Sequence, residues 1–121
     1  MKEFTSFLKS GRKRARALGY PTINLEIPRD FDIEEGTYSV EVIVYRRNYQ
    51  AVMHYGRSPT FGDREKILEV HLLTDFDFSL LRNYQKISVR IKKFLRKNKK
   101  FATKKELIDQ IKKDINQSQA S

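Results

Sequence analysis

The chain has 121 residues, enough for one domain around one core. Only 39% are hydrophobic, no stretch approaches the roughly 18 consecutive apolar residues of a membrane span, and there is no cysteine, which excludes disulfides and thiolate chemistry. The 25 Lys and Arg outweigh 15 Asp and Glu for a net charge of +10, a balance that suits an anionic partner or, as readily, a solvated Lys-rich surface.

The N-terminus, "MKEFTSFLKS", has no long apolar run and no small-residue cleavage site, so no signal peptide is read there. With only His54 and His71, a His-rich metal site is not expected, and the chain reads as cytoplasmic with no membrane association. Residues 4–9 alternate as a short strand, Phe4, Ser6 and Leu8 against Thr5, Phe7 and Lys9. "GTYSVEVIVY" (36–45) is rich in β-branched and aromatic residues and sends Tyr38, Val40, Val42 and Val44 to one face. "NYQAVMHY" (48–55) pairs with it as a hairpin, with the turn near Arg46–Asn48. "KILEVHLL" (66–73) and "KISVRIKKF" (86–94) complete the strands; in the latter Ile87, Val89 and Ile91 point inward. Strand follows strand without helices between them, which predicts an antiparallel sheet closing on itself. In "ATKKELIDQIKKDINQ" (102–117) the period changes: Leu107, Ile108, Ile111 and Ile115 share a helical face, and Thr103 and Glu106 have capping-box spacing. The expected domain is the whole chain, 1–121, with an ordered core over about 4–117 and a frayed end from Ser118 to Ser121.

Three segments carry candidate chemistry. "GRKRARALGYPTIN" (11–24) sets Arg and Lys between Gly11 and Gly19, then Thr22 and Asn24 two apart after Pro21. In an extended segment that spacing puts both side-chain oxygens on one side. Hard oxygens beside cations suit a Mg–nucleotide, though a turn followed by a strand explains Gly19, Tyr20 and Pro21 equally well. In "ILEVHLL", Glu69 shares a face with Ile67, His71 and Leu73. A carboxylate there is either an edge charge facing water or a general base. "LRKNKKF" (95–101) offers Arg96, Lys99 and Phe101 to a planar anionic ligand, or is a plain solvated charge run before the helix.

In this order the blocks "GRKRARALGYPTIN", "GTYSVEV", "YGRSPTF", "LEVHLL" and "LRKNKKFATKKELIDQIKKDI" resemble the riboflavin kinase family, which also forms the C-terminal half of bacterial bifunctional riboflavin kinase/FAD synthetases. The resemblance runs from about Phe4 to Ile115. It implies a mainly β fold, a small six-stranded antiparallel Greek-key β-barrel with a C-terminal α-helix. It also implies transfer of the ATP γ-phosphoryl group to the riboflavin 5′-hydroxyl, with FMN and ADP as products. By match to the family motif, Glu69 would be the catalytic base. Gly11, Arg16, Gly19, Pro21, Thr22 and Asn24 would line the ATP, with Thr22 and Asn24 also holding Mg²⁺. Arg96, Lys99 and Phe101 would contact the flavin. A nucleotidyltransferase (FAD synthetase) domain is an implied partner in a longer parent chain, and no specific nucleic acid is implied.

The chain departs from the family pattern at Ala15 (usually Gly), Tyr20 (Phe), Ile23 (Ala) and His54 (Asn). It also carries "TDFDFSLLRNYQK" (74–86) where the family has a shorter, glycine-containing segment. The altered 74–86 segment and the charge favour a rival expectation from another class: a catalytically impaired family member that binds flavin or RNA in a regulatory role.

Overall fold

The structure is a computed structural model. It describes residues 2–9, 14–17, 20–57, 65–74, 76–77, 79, 81–82, 84–98 and 102–119, with backbone alone at 14–17, 20, 104 and 107.

Seven strands and one helix follow in chain order: β1 (Lys2–Phe7), β2 (Arg14–Ala17), β3 (Tyr20–Asn24), β4 (Gly36–Val44), β5 (Arg47–Gly56), β6 (Ile67–Leu72), β7 (Lys86–Arg96) and α1 (Lys104–Gln119). They form one antiparallel sheet in the order β1-β7-β4-β5-β6-β3-β2. Three consecutive hairpin strands, β4 to β6, with β3 returning beside β6, make a Greek key. The six expected strands are joined by the four-residue β2, which extends the sheet outward from β3.

The sheet curls until the chain just after β1 meets the chain just after β3. A bridge pairs Leu8 with Leu25, and the Lys9 and Glu26 amides donate to the carbonyls of Asn24 and Phe7 at 3.0 and 2.8 Å. This short seam gives the sheet its barrel-like form and seals Leu8 and Leu25 in the core.

Alternation fills the interior. Tyr38, Val40, Val42 and Val44 of β4 pack against Leu68, Val70 and Leu72 of β6 and Ile87 and Val89 of β7, all buried. The long segment after β6 also joins this core: Phe76 and Leu81 are buried, and the Phe76 ring stands edge-on to Tyr49 at 5.0 Å. The β4–β5 turn falls at Tyr45–Arg46, one residue earlier than expected. Both residues take positive φ (50° and 66°), and such a two-residue turn matches the right-handed twist of the flanking strands.

The helix starts where the capping signal put it. The Glu106 amide donates to Thr103 Oγ1 at 3.2 Å, and the Glu106 carboxylate accepts from the Ala102 amide at 2.9 Å. Its far end departs from expectation: α1 runs to Gln119, and Ser118 is buried with its hydroxyl 2.8 Å from that of Ser39. The helix docks on the outer wall of the sheet, across β4, β5 and β7, where polar Thr37 and Ser39 share the face with the buried Val52. Its inward stripe therefore combines Ile115 with Asp114 and Ser118, all buried. Ile108 and Ile111 are half-buried, and the Leu107 side chain lies outside the described residues.

Candidate functional site

On the outer wall, cross-strand register gathers polar side chains that are far apart in sequence. Thr22 stands opposite His71 and Asn24 opposite Glu69, across β3 and β6. On the other side of β6, Glu69 faces His54 of β5, His54 faces Thr37 of β4, and Thr37 faces Arg96 of β7. Asn24, Glu69, His54, Thr37 and Arg96 thus form one row across five strands. Three strand spacings, about 14 Å of backbone, separate Glu69 from Arg96.

Hydrogen bonds tie parts of this wall together. Thr22 Oγ1 lies 2.9 Å from His71 Nδ1, and His71 Nε2 lies 2.9 Å from Glu69 Oε1. Thr22 and His71 are buried, while the Glu69 side chain keeps 28% of its surface open. Thr37 Oγ1 lies 3.3 Å from His54 Nδ1. Burial pushes the Glu69 carboxyl up, but its hydrogen bond to His71 and its electrostatic interaction with His71 and His54 outweigh that, and its pKa is held below the ordinary value. Glu69 is therefore a carboxylate at neutral pH, able to accept a proton. His54 is pushed the opposite way for its type: burial disfavours the imidazolium, and Glu69 only partly offsets this.

At the far end of the row Arg96 makes a two-pronged contact with Asp114 of α1, Nε to Oδ1 at 2.9 Å and Nη2 to Oδ2 at 2.8 Å. Its Nη1 donates to the Lys97 carbonyl at 3.1 Å, and Gln110 Nε2 donates to Asp114 Oδ1 at 3.0 Å. The backbone is tight here: a Cβ on Gly36 would sit 2.5 Å from the Arg96 carbonyl oxygen and 2.5 Å from the Phe94 ring, so β4 approaches β7 closely only because residue 36 has no side chain.

The structure thus brings Thr22, Asn24 and Glu69 together and sets Arg96 apart, against the helix. Pro21 is buried on β3 and pairs with Arg16 of β2, whose side chain lies outside the described residues. Gly11, Gly19, Lys99 and Phe101 lie outside them altogether. The site also holds His71, His54 and Asp114, to which the sequence reading gave no role. For His71 the signal was present, since it alternates onto the same face as Glu69. Among the described residues no group of three or more His, Cys, Asp or Glu could hold a metal ion. The oxygens of Thr22 and Asn24, two apart on one strand beside a carboxylate, are hard donors of the kind Mg²⁺ takes when phosphates complete its shell.

Residues 2–121 match the protein family described as Flavokinase, riboflavin kinase. A bifunctional riboflavin kinase/FMN adenylyltransferase of Buchnera aphidicola (subsp. Schizaphis graminum) is 32% identical over 108 residues, which cover 87% of this chain and 34% of that protein. A protein of Bacillus subtilis (strain 168) named RNA-binding riboflavin kinase is 35% identical over 106 residues, 87% of this chain and 44% of that one. A crystal structure of a protein from Streptococcus pneumoniae, described as a macrolide-efflux protein, superposes with a TM-score of 0.76 at 28% identity, over 97% of this chain and 38% of that one. The chain spans about a third of the length of the bifunctional relative.

Proposed function

Since the chain belongs to the riboflavin kinase family, we propose that it transfers the γ-phosphoryl group of ATP to the 5′-hydroxyl of riboflavin, giving FMN and ADP. The observation that carries this is the pairing of Asn24 with Glu69 and of Thr22 with His71 across β3 and β6. It sets Asn24 one strand spacing, about 4.8 Å of backbone, from Glu69, and links Thr22 to the same carboxylate through His71.

Phosphoryl transfer asks a protein mainly for positioning and for neutralisation of phosphate charge. Thr22 and Asn24 bind the Mg–nucleotide from β3, and a Mg²⁺ bound there would draw charge from the phosphate oxygens. Glu69 on β6 accepts the proton of the riboflavin 5′-hydroxyl as that oxygen bonds to the γ-phosphorus and the bond to the ADP oxygen breaks. Both strands are held rigid by backbone ladders on each side, so the donors and the base keep their spacing. Gly11, Arg16, Gly19 and Pro21 complete the ATP side of this reading, and Arg96, Lys99 and Phe101 the flavin side. An adenylyltransferase half in a longer parent chain fits the printed names of the relatives.

Mixing the protein with riboflavin, ATP and Mg²⁺ and resolving the flavins by chromatography tests the proposal. FMN should form only when ATP and a divalent cation are both present. No FMN above background at saturating substrates would overturn it.

A second reading, regulatory RNA binding, is favoured by two observations: the Bacillus subtilis relative is named as RNA-binding, and this chain carries a net charge of +10. The efflux role in the Streptococcus pneumoniae description finds no such support. Among the described residues no helix is long and apolar enough to cross a membrane.

A further inference from the structure

We propose that His71 is a positioning residue that sets the hydrogen-bond polarity of both halves of the site, making Thr22 a donor inward and Glu69 an acceptor with one oxygen tied. The inference rests on the roles given above to Thr22 and Glu69. Its core is the unbroken chain Thr22 Oγ1–His71 Nδ1–His71 Nε2–Glu69 Oε1, with 2.9 Å at each hydrogen bond.

The allocation of protons follows from what each group can do. A carboxylate only accepts, so His71 Nε2 carries the hydrogen and donates to Glu69 Oε1. In its neutral form the imidazole has one N–H, which leaves Nδ1 as a bare acceptor. The Thr22 hydroxyl must then donate to Nδ1 and turn both oxygen lone pairs away from the histidine. A hydroxyl in that orientation faces a cation with its oxygen and not its proton. With the opposite tautomer, Nδ1–H would point at Thr22 Oγ1 and occupy a lone pair, and Nε2 would face Glu69 lone pair to lone pair. On the other side of the ring, the bond from Nε2 fixes the carboxylate through Oε1 and leaves Oε2 to take the hydroxyl proton. Thr22 and His71 are both buried, so water competes poorly for these bonds and the orientation persists without ligand.

Two side chains separate the halves of this role. The amide of Asn reaches the place of Nδ1 and that of Gln the place of Nε2. His71→Gln keeps a donor for Glu69 and removes the acceptor for Thr22. Its requirement for Mg–ATP should rise about tenfold while kcat stays near wild type, the scale at which groups behind a metal ligand act. His71→Asn keeps the acceptor for Thr22 and releases Glu69, so kcat should fall about tenfold with Mg–ATP affinity little changed. A merely structural histidine would move both parameters together in both variants, alongside thermal stability, and that result overturns the proposal.

The second readout needs neither metal nor turnover. The imidazole ¹⁵N shifts of His71 in the ligand-free protein, recorded at about pH 8, above the ordinary imidazole range, should show the proton on Nε2 and a bare Nδ1. A proton on Nδ1 overturns the proposal even if neither variant folds. A wild-type protein that makes no FMN would sink the kinase reading, while the tautomer would still decide whether the chain from Thr22 to Glu69 is polarised as described.

Discussion

Arg96 at the end of β7 and Asp114 in the third turn of α1 face each other with two parallel hydrogen bonds, 2.9 and 2.8 Å, and both side chains are largely out of water. Two-pronged guanidinium–carboxylate contacts are the strong kind, and this one fastens the helix to the wall that carries the site. Removing one partner of a buried pair leaves the other charge uncompensated, at about 3–5 kcal/mol. Asp114→Ala should therefore lower Tm by roughly 10–20 °C. Ser118→Ala, which removes a neutral hydrogen bond to Ser39, should cost only about 1 kcal/mol. Differential scanning fluorimetry on the two variants decides the ranking. Equal small shifts would mean that the Arg96–Asp114 pair behaves as a surface ion pair.

Asn24 stands opposite Glu69 and Thr22 opposite His71 across β3 and β6, and the proposed cation site there should be read out by the cation. Thr22→Ala and Asn24→Ala should each raise the Mg²⁺ requirement and weaken nucleotide binding with the β-signature of the circular dichroism spectrum intact, since each removes a proposed cation ligand and little core volume. Titration of nucleotide affinity against Mg²⁺ is the measurement. Variants that titrate as wild type would remove both residues from the cation site.

How much of this was legible beforehand depended on the range of the interaction. Tyr38, Val40, Val42 and Val44 declared β4 by period alone, and Thr103 with Glu106 declared the start of α1, because both signals are local. The seam at Leu8 and Leu25 was not legible, since it depends on how far the sheet curls. Glu69 could be assigned to a face but not to a partner: that it meets Asn24 on one side and His54 on the other follows from strand register, which no single strand encodes. Asp114 reads in sequence as the charged back of an amphipathic helix. It is buried because the wall that α1 docks on presents Arg96 to it, and a helix stripe is wholly apolar only when the surface it meets is. The same wall holds Ser118 in place where sequence position alone suggested fraying.

His54 stands where the family usually has Asn, and its imidazole is held below the ordinary value, first by burial. The unfolded chain takes up this proton at about pH 6.5, while the folded chain resists it to lower pH. Below pH ~6.5 the unfolded state therefore binds more protons, and stability falls until the folded histidine also titrates. Tm should drop as pH is lowered from about 6.5, and His54→Asn should flatten the drop over that window. The depressed Glu69 adds a separate loss further down, below its ordinary 4.5. Parallel curves for wild type and His54→Asn would show that His54 does not couple folding to pH.

The basic surface should bind nucleic acid through phosphate contacts alone, because no reader motif accompanies the charge. Fluorescence anisotropy with unrelated RNAs should give similar affinities that fall steeply between low and moderate salt. Tight binding to one sequence that survives raised salt would make the regulatory reading the better one.

Glu69 is where a kinase and a binder differ most. Glu69→Gln keeps the size of the side chain and can still pair with His71 Nε2 through its amide oxygen, so the chain to Thr22 is preserved. What it loses is the ability to accept a proton. General-base assistance is worth about 10²–10⁴-fold, so single-turnover FMN formation should slow by roughly that factor. Riboflavin and ATP affinity should change little, because a group that acts mainly in the transition state lowers the rate without loosening the ground state. A structural glutamate would behave the other way: its carboxylate is stabilised by His71 and His54, and its loss would lower Tm or flavin affinity and spare turnover. Flavin fluorescence titration, thermal unfolding and single-turnover kinetics on this one variant separate the two. Unchanged turnover would remove Glu69 from the chemistry and leave it as a half-buried partner of His71.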